Sequence, residues 1–226
     1  MPVFSLQPGS AFPDPAQAEP DGLLAVGGDL SPDRLLAAYR AGIFPWYGPR
    51  APILWWAPPE RALVLPGAEH LSRSTVKALS KLNFQIRRDT CFEQVIGHCA
   101  RLKRAAQAGT WITRDMRQAY LDLHGAGFAH SFEAFRNDRL VGGLYGISLG
   151  AAFFGESMFS LESYASRAAF AALCRQAWAW GFHFIDGQVP NENLLALGAR
   201  VIPRAEFQQR LAKALEPADR RGSWTD

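Results

Sequence analysis

Cysteine is scarce and unpatterned: Cys91, Cys99 and Cys174 are the three in 226 residues, an odd number without C-x-x-C spacing. That disfavours both a disulfide framework and a thiolate zinc site, so the three read as small buried apolar residues. The five histidines show no H-E-x-x-H or paired-ligand spacing, so no metal is expected, and no other cofactor. No apolar run is long enough to span a bilayer, Arg34 and Arg40 interrupting the early ones. The N-terminal MPVFSLQPGSAF lacks a basic stretch followed by a long apolar one. A cytoplasmic chain without membrane contact is therefore the expectation. Also missing are G-x-S-x-G, the P-loop and G-x-G-x-x-G, which disfavours an acyl-enzyme hydrolase, an NTPase and a Rossmann dehydrogenase.

What is present is ordinary for a globular chain, 48% hydrophobic and 20% charged. The length suffices for one large domain or two smaller ones. A net charge of +3 and a pI near 8.9 permit an acidic partner without requiring one. Proline is uneven: 12 of 15 lie at or before Pro66. This predicts a turn-rich, aromatic N-terminal domain over 1–66 and a regular one over 67–226.

In the first part, Ser31, Pro32 and Asp33 open a helix that ends at Gly42. The following IFPWYGPRAPILWW is too rich in proline for a central strand. Trp46, flanked by Pro45 and Gly48, is placed on an exposed loop, with a packing anchor as the alternative. Arg61 to Leu65 is a strand candidate, and Ser72 or Ser74 opens a short helix. From Phe84 the pattern turns regular. A strand over 84–88 is followed by a T-x-x-E capping box at Thr90 and Glu93, with Phe92, Val95, Ile96, Cys99 and Leu102 at helical spacing and a stop at Gly109. Thr113 caps a helix with Met116, Tyr120 and Leu123 on its inner face. A strand over 129–135 turns at Asn137 and Asp138 into Leu140 to Leu149, and Gly150 separates that from Ala151 to Ser157. The apolar helix over 165–180 and a strand over 183–188 complete a crossover that favours a parallel pair. A short helix after Asn191, a last strand at Val201 and Ile202 and a helix over 204–215 follow, with a frayed tail from Pro217.

The stretch LVGGLYGISLGAAFFGESMFS is apolar nearly throughout yet holds one carboxylate, Glu156, where apolar packing stops. Asp186 and Gln188, two apart on a strand, are expected to share a face. A neighbouring Glu156 would give two carboxylates and an amide at an open sheet end, with Asn191 and Asn193 crowding the corner. Two such acids either hold a cation or push one pKa upward. The competing reading of Asp186 is a strand-end group bonding a turn. Leu144, Phe153, Met158, Phe159 and Ile185 are each plain core by default, but together they can line a slot for an apolar side chain. Trp111 either covers that slot or is a buried staple. Gly155 allows a bulge that would reverse the strand's alternation, leaving the face of Glu156 open. Arg87, Arg88, Arg101, Lys103, Arg104, Arg114 and Arg117 form a basic cluster, more often a solvated face than an RNA site unless paired with exposed aromatics such as Trp46.

The segments GLLAVGGDLSPDRLLAAYRAGIFPWY, PILWWAP, TWIT, LVGGLYG, FFGESMFS, IDGQ and LALGAR resemble those of the leucyl/phenylalanyl-tRNA-protein transferase family over nearly the full length. The resemblance implies an α+β chain: an acetyltransferase-like (GNAT-type) mixed sheet with flanking helices and a smaller N-terminal α+β domain. It implies an aminoacyltransferase that moves Leu or Phe, and also Met, from aminoacyl-tRNA onto the N-terminal Arg or Lys of an acceptor protein, creating an N-degron. The tRNA would be held by its 3′ end and acceptor stem. Asp186 would orient the attacking amine or take its proton, directly or through Gln188, and Glu156 would hold a cationic group of the acceptor. Trp46 would stack on the terminal adenine with Tyr39 and Tyr120 nearby, and Ser160 closes the motif that carries the substrate pocket. The chain departs from the family pattern at Tyr164, Arg167, Gly187 and Asn193, which touches acceptor preference rather than reaction type. The alternatives are a CoA-dependent N-acetyltransferase of the same fold, against which LESYASRAA lacks a glycine-rich turn, and a non-catalytic RNA-binding module.

Overall fold

Asn137 and Asp138 both have positive φ, 50° and 56°, the geometry that lets a two-residue turn follow the strand twist. They join β7 (Ala129–Arg136) to β8 (Arg139–Leu149), and Gly150 at φ 53° begins the turn into β9 (Ala152–Ser160). The computed structural model describes residues 3–7, 9–101 and 111–225. Leu102, Lys103, Arg104 and the expected stop at Gly109 lie outside the described residues.

This meander is the centre of a seven-stranded sheet. Its other members are β5 (Glu60–Val64), β6 (Gln85–Arg88), β10 (Phe184–Asp186) and β11 (Arg200–Pro203), in the order β11-β5-β10-β9-β8-β7-β6. β9 and β10 are parallel, as the strand-helix-strand order predicts, and the remaining neighbours are antiparallel. The crossover is α5 (Ala165–Ala179), which buries eight residues, Phe170 and Leu173 among them. Ser160 Oγ accepts the Ser166 amide at 2.9 Å and so caps its first turn.

The proline-rich part builds a second sheet in the order β1-β2-β4-β3 from β1 (Phe4–Leu6), β2 (Leu23–Gly27), β3 (Phe44–Pro45) and β4 (Leu54–Trp56). Pro45 is on an edge strand, where its missing N–H costs nothing. Leu54 to Trp56, past the last proline of that run, forms an internal strand. α1 (Pro32–Arg40) packs beside it. The residues expected as a strand at 61–65 pair as β5 with β10 and β11, in the larger sheet. One hydrophobic core spans both sheets, joining Leu24, Tyr39 and Trp55 to Tyr120, Phe154 and Phe207, and a second lies beneath α5.

α2 (Arg73–Leu82) and α4 (Arg114–Gly125) begin as expected, Ser72 and Thr113 each accepting a backbone N–H at 3.2 Å. α3 (Phe92–Arg101) does not start with a capping box. Thr90 instead bonds through its amide and hydroxyl to Glu133, which also accepts the Cys91 amide at 2.9 Å. A buried carboxylate from β7 thus fills the role expected of Thr90 and Glu93, and Glu93 faces outward to Arg117 at 2.7 Å.

The tail is not frayed. After α6 (Glu192–Ala196) and α7 (Arg204–Ala214) the chain turns back, and Asp219 accepts the Gly150 amide at 2.8 Å and pairs with Arg40 at 2.6 Å. Trp224, 5% exposed, enters the second core and stacks on His130 with ring centroids 3.6 Å apart. Its amide joins His130 Nδ1 on Asp89 Oδ2, each at 2.8 Å. No helix among the described residues is long and apolar enough to cross a membrane.

Candidate active site

Between β8 and β9 the register slips: Tyr145 faces Ser157 and Gly146 faces Gly155, so Glu156 is the extra residue of a β-bulge. Gly146 is required opposite it, because a Cβ there would sit 2.2 Å from the Phe154 carbonyl oxygen and 2.5 Å from the Phe153 ring. Before the bulge Phe153 faces the α5 core and Phe154 the main core; after it Met158 faces the α5 side and Phe159 the main core. The alternation is reversed, as Gly155 allowed.

Glu156 points to the main-core side of the bulge. Its Oε1 accepts Tyr39 Oη at 2.6 Å and Gln188 Nε2 at 2.8 Å, and its Oε2 accepts Tyr120 Oη at 2.8 Å. The two tyrosine hydroxyls also lie 2.6 Å apart. Burial pushes the Glu156 carboxyl up to about 7 against the opposing effect of these three donors, with Asp186 adding a further upward push. Both phenols are held well above their usual range by burial and by the Glu156 charge. Tyr39 and Tyr120, expected near a stacked adenine, are fully buried and offer no ring face to a base. They stand behind the carboxylate and hold it.

β10 ends at Asp186, and Gln188 adopts a left-handed conformation at φ 64°. The expected alternation of Asp186 and Gln188 along one strand therefore gives way to a turn, held by the Gln188 amide on Asp186 Oδ1 at 2.7 Å. The side chain of Gln188 is thereby aimed at Glu156. Asp186 is fully buried and paired with Arg61, itself 1% exposed, through Nη2 to Oδ2 and Nε to Oδ1. Arg61 also donates to the Gly42 carbonyl at 2.9 Å, and its guanidinium lies 5.0 Å from the Phe44 ring and 4.2 Å from the Phe207 ring. Sequence reasoning missed Arg61; its one signal was a charge inside a strand of apolar residues.

A cavity of about 470 Å³ opens where β9 and β10 part, with Glu156, Asp186, Asn191 and Asn193 at its polar end. Its apolar walls include Leu144, Met158, Phe170, Leu173, Ile185 and Leu194. Leu144, Met158, Ile185 and Asn191 were expected there. Phe170, Leu173 and Leu194 were not, although a helix apolar all round announces that α5 covers something. Two expected walls are elsewhere: Phe153 is fully buried under α5, and Phe159 stacks on His98 on the opposite side. Trp111 packs against the main core as a half-buried staple, and Ser160 serves α5. Asn191 caps α6 through the Leu194 amide at 3.0 Å, and Asn193 reaches Met158 Sδ at 3.9 Å. Gly187 fits Leu194: a Cβ there would meet Leu194 Cδ1 at 2.7 Å. Trp46 is 37% exposed, its ring edge-on to Trp56 at 6.0 Å. Among the described residues no cluster of three or more His, Cys, Asp or Glu is arranged to hold a metal ion.

The family described as leucyl/phenylalanyl-tRNA protein transferase matches residues 63–212, and its N-terminal domain matches residues 28–59. A leucyl/phenylalanyl-tRNA–protein transferase of Anaeromyxobacter dehalogenans strain 2CP-C is 54% identical over 99% of this chain and 96% of its own length. That of Myxococcus xanthus is 48% identical over 100% and 97%, and that of Syntrophus aciditrophicus 52% over 100% and 94%. The chain belongs to the leucyl/phenylalanyl-tRNA protein transferase family.

Proposed function

We propose that this chain transfers Leu or Phe, and also Met, from aminoacyl-tRNA to the N-terminal Arg or Lys of acceptor proteins in the cytoplasm, forming a peptide bond and an N-degron. The observation that carries the reading is an apolar cavity that ends on Glu156, whose Oε1 is held by Gln188 Nε2 at 2.8 Å. Such a cavity suits an apolar side chain whose reacting carbonyl must lie beside polar groups. The larger sheet is read as acetyltransferase-type, supported by the parallel β9–β10 pair, its helical crossover and the bulge where the two strands part. The division of labour follows the two sheets, with the smaller one and exposed Trp46 assigned to the tRNA 3′ end.

The donor is an ester and the product an amide, so the reaction runs downhill without ATP. The protein's work is alignment of a neutral amine with the ester carbonyl. Gln188, an amide, orients by hydrogen bonds only. Asp186, with both oxygens engaged by Arg61 and the Gln188 amide, positions Gln188. Glu156, with its pKa about 7, is the group matched to an amine. This replaces the expectation that Glu156 holds the acceptor's cationic side chain. Donor choice is graded, because one methylene in an apolar slot discriminates by about 1–3 kcal/mol.

The rival acetyltransferase needs a pyrophosphate cradle at the start of α5. There Tyr164 takes the left-handed cap at φ 70° and Ser160 already occupies the Ser166 amide. Incubation with leucyl-tRNA and a peptide beginning with Arg should add one leucine by mass. Acetylation from acetyl-CoA without leucine addition would overturn the reading.

A further inference from the structure

The oxygens of Tyr39, Tyr120 and Glu156 form a triangle with every side at hydrogen-bond distance: 2.6 Å between the phenols, 2.6 Å from Tyr39 to Oε1 and 2.8 Å from Tyr120 to Oε2. Each contact needs one proton. Both phenols keep theirs, so the ionised carboxylate leaves two protons for three contacts. One pair of oxygens then faces each other with no proton between them. A single added proton on Glu156 closes the set: Glu156 Oε2–H donates to Tyr120, Tyr120 to Tyr39, and Tyr39 to Oε1. The Gln188 amide continues to donate to Oε1 in either state.

We propose that Tyr39, Tyr120 and Glu156 form a three-oxygen ring that takes up the proton drawn from the acceptor's terminal ammonium group, Glu156 exchanging it as the catalytic residue and the tyrosines acting as positioning residues. The proposal rests on the transferase reading above. In going from ammonium to amide the nitrogen loses two protons. The first passes to Glu156, freeing the lone pair that forms the C–N bond. The C–O bond of the ester then breaks, its electron pair goes to the ribose oxygen, and that oxygen takes up a proton. The nitrogen gives up its second proton as the amide forms, so one proton remains over and leaves to solvent.

The groups facing Glu156 are consistent with this role. From α1 comes Tyr39, from α4 Tyr120, from the turn after β10 Gln188 and from β10 Asp186, whose charge is paired with Arg61 of β5, while Tyr145 of β8 acts on the two phenols. The cavity side supplies the uncharged Asn191 and Asn193. Burial, not a neighbouring cation, sets the proton affinity, and a buried carboxylate with a site for a third proton is suited to hold one near neutral pH.

The ring is distinguished from two independent donors by a double-mutant cycle. The protein labelled with ¹³C-carboxyl glutamate is titrated by NMR without substrate, Glu156 being assigned by its loss in Glu156→Gln. Either Tyr39→Phe or Tyr120→Phe removes one oxygen, leaves the ring packing, and also removes the contact that lacks a proton. Each single variant should therefore move the Glu156 pKa little, and the double variant should raise it by more than one unit, well above the sum of the singles. An additive pair of increases, or a wild-type Glu156 that does not titrate between pH 5 and 9, would overturn the ring. In the same four proteins the acid limb of kcat/KM for transfer should follow the NMR values. The acceptor amine, at about 7.7–8.0, titrates nearby but identically in all four. A uniform loss of rate with an unmoved limb would show the tyrosines to be structural only and overturn the proton role. Failure of the wild type to transfer leucine at all would instead overturn the transferase reading, and the NMR cycle would still decide on the ring.

Discussion

The Arg61–Asp186 pair gives the sharpest stability prediction. Both side chains are buried, at 1% and 0% exposure, so neither charge has water to fall back on. Arg61→Met keeps most of the side-chain volume between Phe44 and Phe207 and removes the charge, stranding the Asp186 carboxylate. Breaking a buried pair from one side costs about 3–5 kcal/mol. For a chain of this size that lowers Tm by roughly 10 °C. Adding Asp186→Asn should recover more than half of the loss, since the stranded charge is its main component. The neutral amide oxygen that this second substitution introduces can still accept the Gln188 backbone N–H that now binds Oδ1. Urea unfolding of wild type, Arg61→Met and the double variant, analysed at constant m, measures both steps. A single variant within about 1 kcal/mol of wild type, or a double variant no better than the single, would refute the argument that Arg61 exists to neutralise Asp186.

Trp224→Ala should cost about 3–5 kcal/mol, because the ring fills the second core against His130, Phe132 and Trp180; an unchanged urea midpoint would return the tail to a frayed state. Glu156→Gln should stabilise the protein above pH 7 while abolishing transfer. The folded Glu156 pKa is about 7, above its ordinary 4.5, so wild type loses stability as pH rises between those values. At pH 8 the gain should be on the order of 2 kcal/mol, read from urea curves at pH 4 and pH 8, and equal differences at the two pH values would count against a buried acid. Gly187→Ala should turn Leu194 and reshape the slot, changing the Phe to Leu transfer ratio several-fold, about 1 kcal/mol; a fixed ratio would remove Leu194 from donor selection.

Local chemistry was legible. Ser72 and Thr113 cap helices, Asn137 and Asp138 turn a hairpin, and the order of strand, helix and strand from β9 to β10 dictates a parallel pair. What escaped the sequence was set by partners far away along the chain. Thr90 followed by Glu93 reads as a capping box, but a stronger acceptor, the buried Glu133, arrives from β7 and takes the donors. Pro217 onward reads as loose because its anchor, Trp224, stands alone among polar residues, and only the fold brings Asp89 and His130 beneath it. Resemblance ties Tyr39 and Tyr120 to the site, but nothing local in the sequence says that both hydroxyls end on one carboxylate.

The bulge explains why so much depends on Glu156. In a regular strand, residues 154, 156 and 158 share one face, and Met158 would then follow Phe154 into the main core, away from the cavity. The chain needs the opposite: an acid against Tyr39 and Tyr120 and, two residues on, an apolar wall on the α5 side. One inserted residue supplies that reversal, and Gly146 supplies the close approach it demands. The same insertion turns Phe159 into the main core, while Phe153, ahead of the bulge, stays packed under α5, and neither lines the slot. A substitution that restored regular register would therefore do more than misplace a carboxylate. It would turn Met158 out of the cavity and separate Glu156 and its two tyrosines from the apolar wall at one stroke, so in the proposed reaction donor selection and acid-base chemistry are joined through a single backbone irregularity.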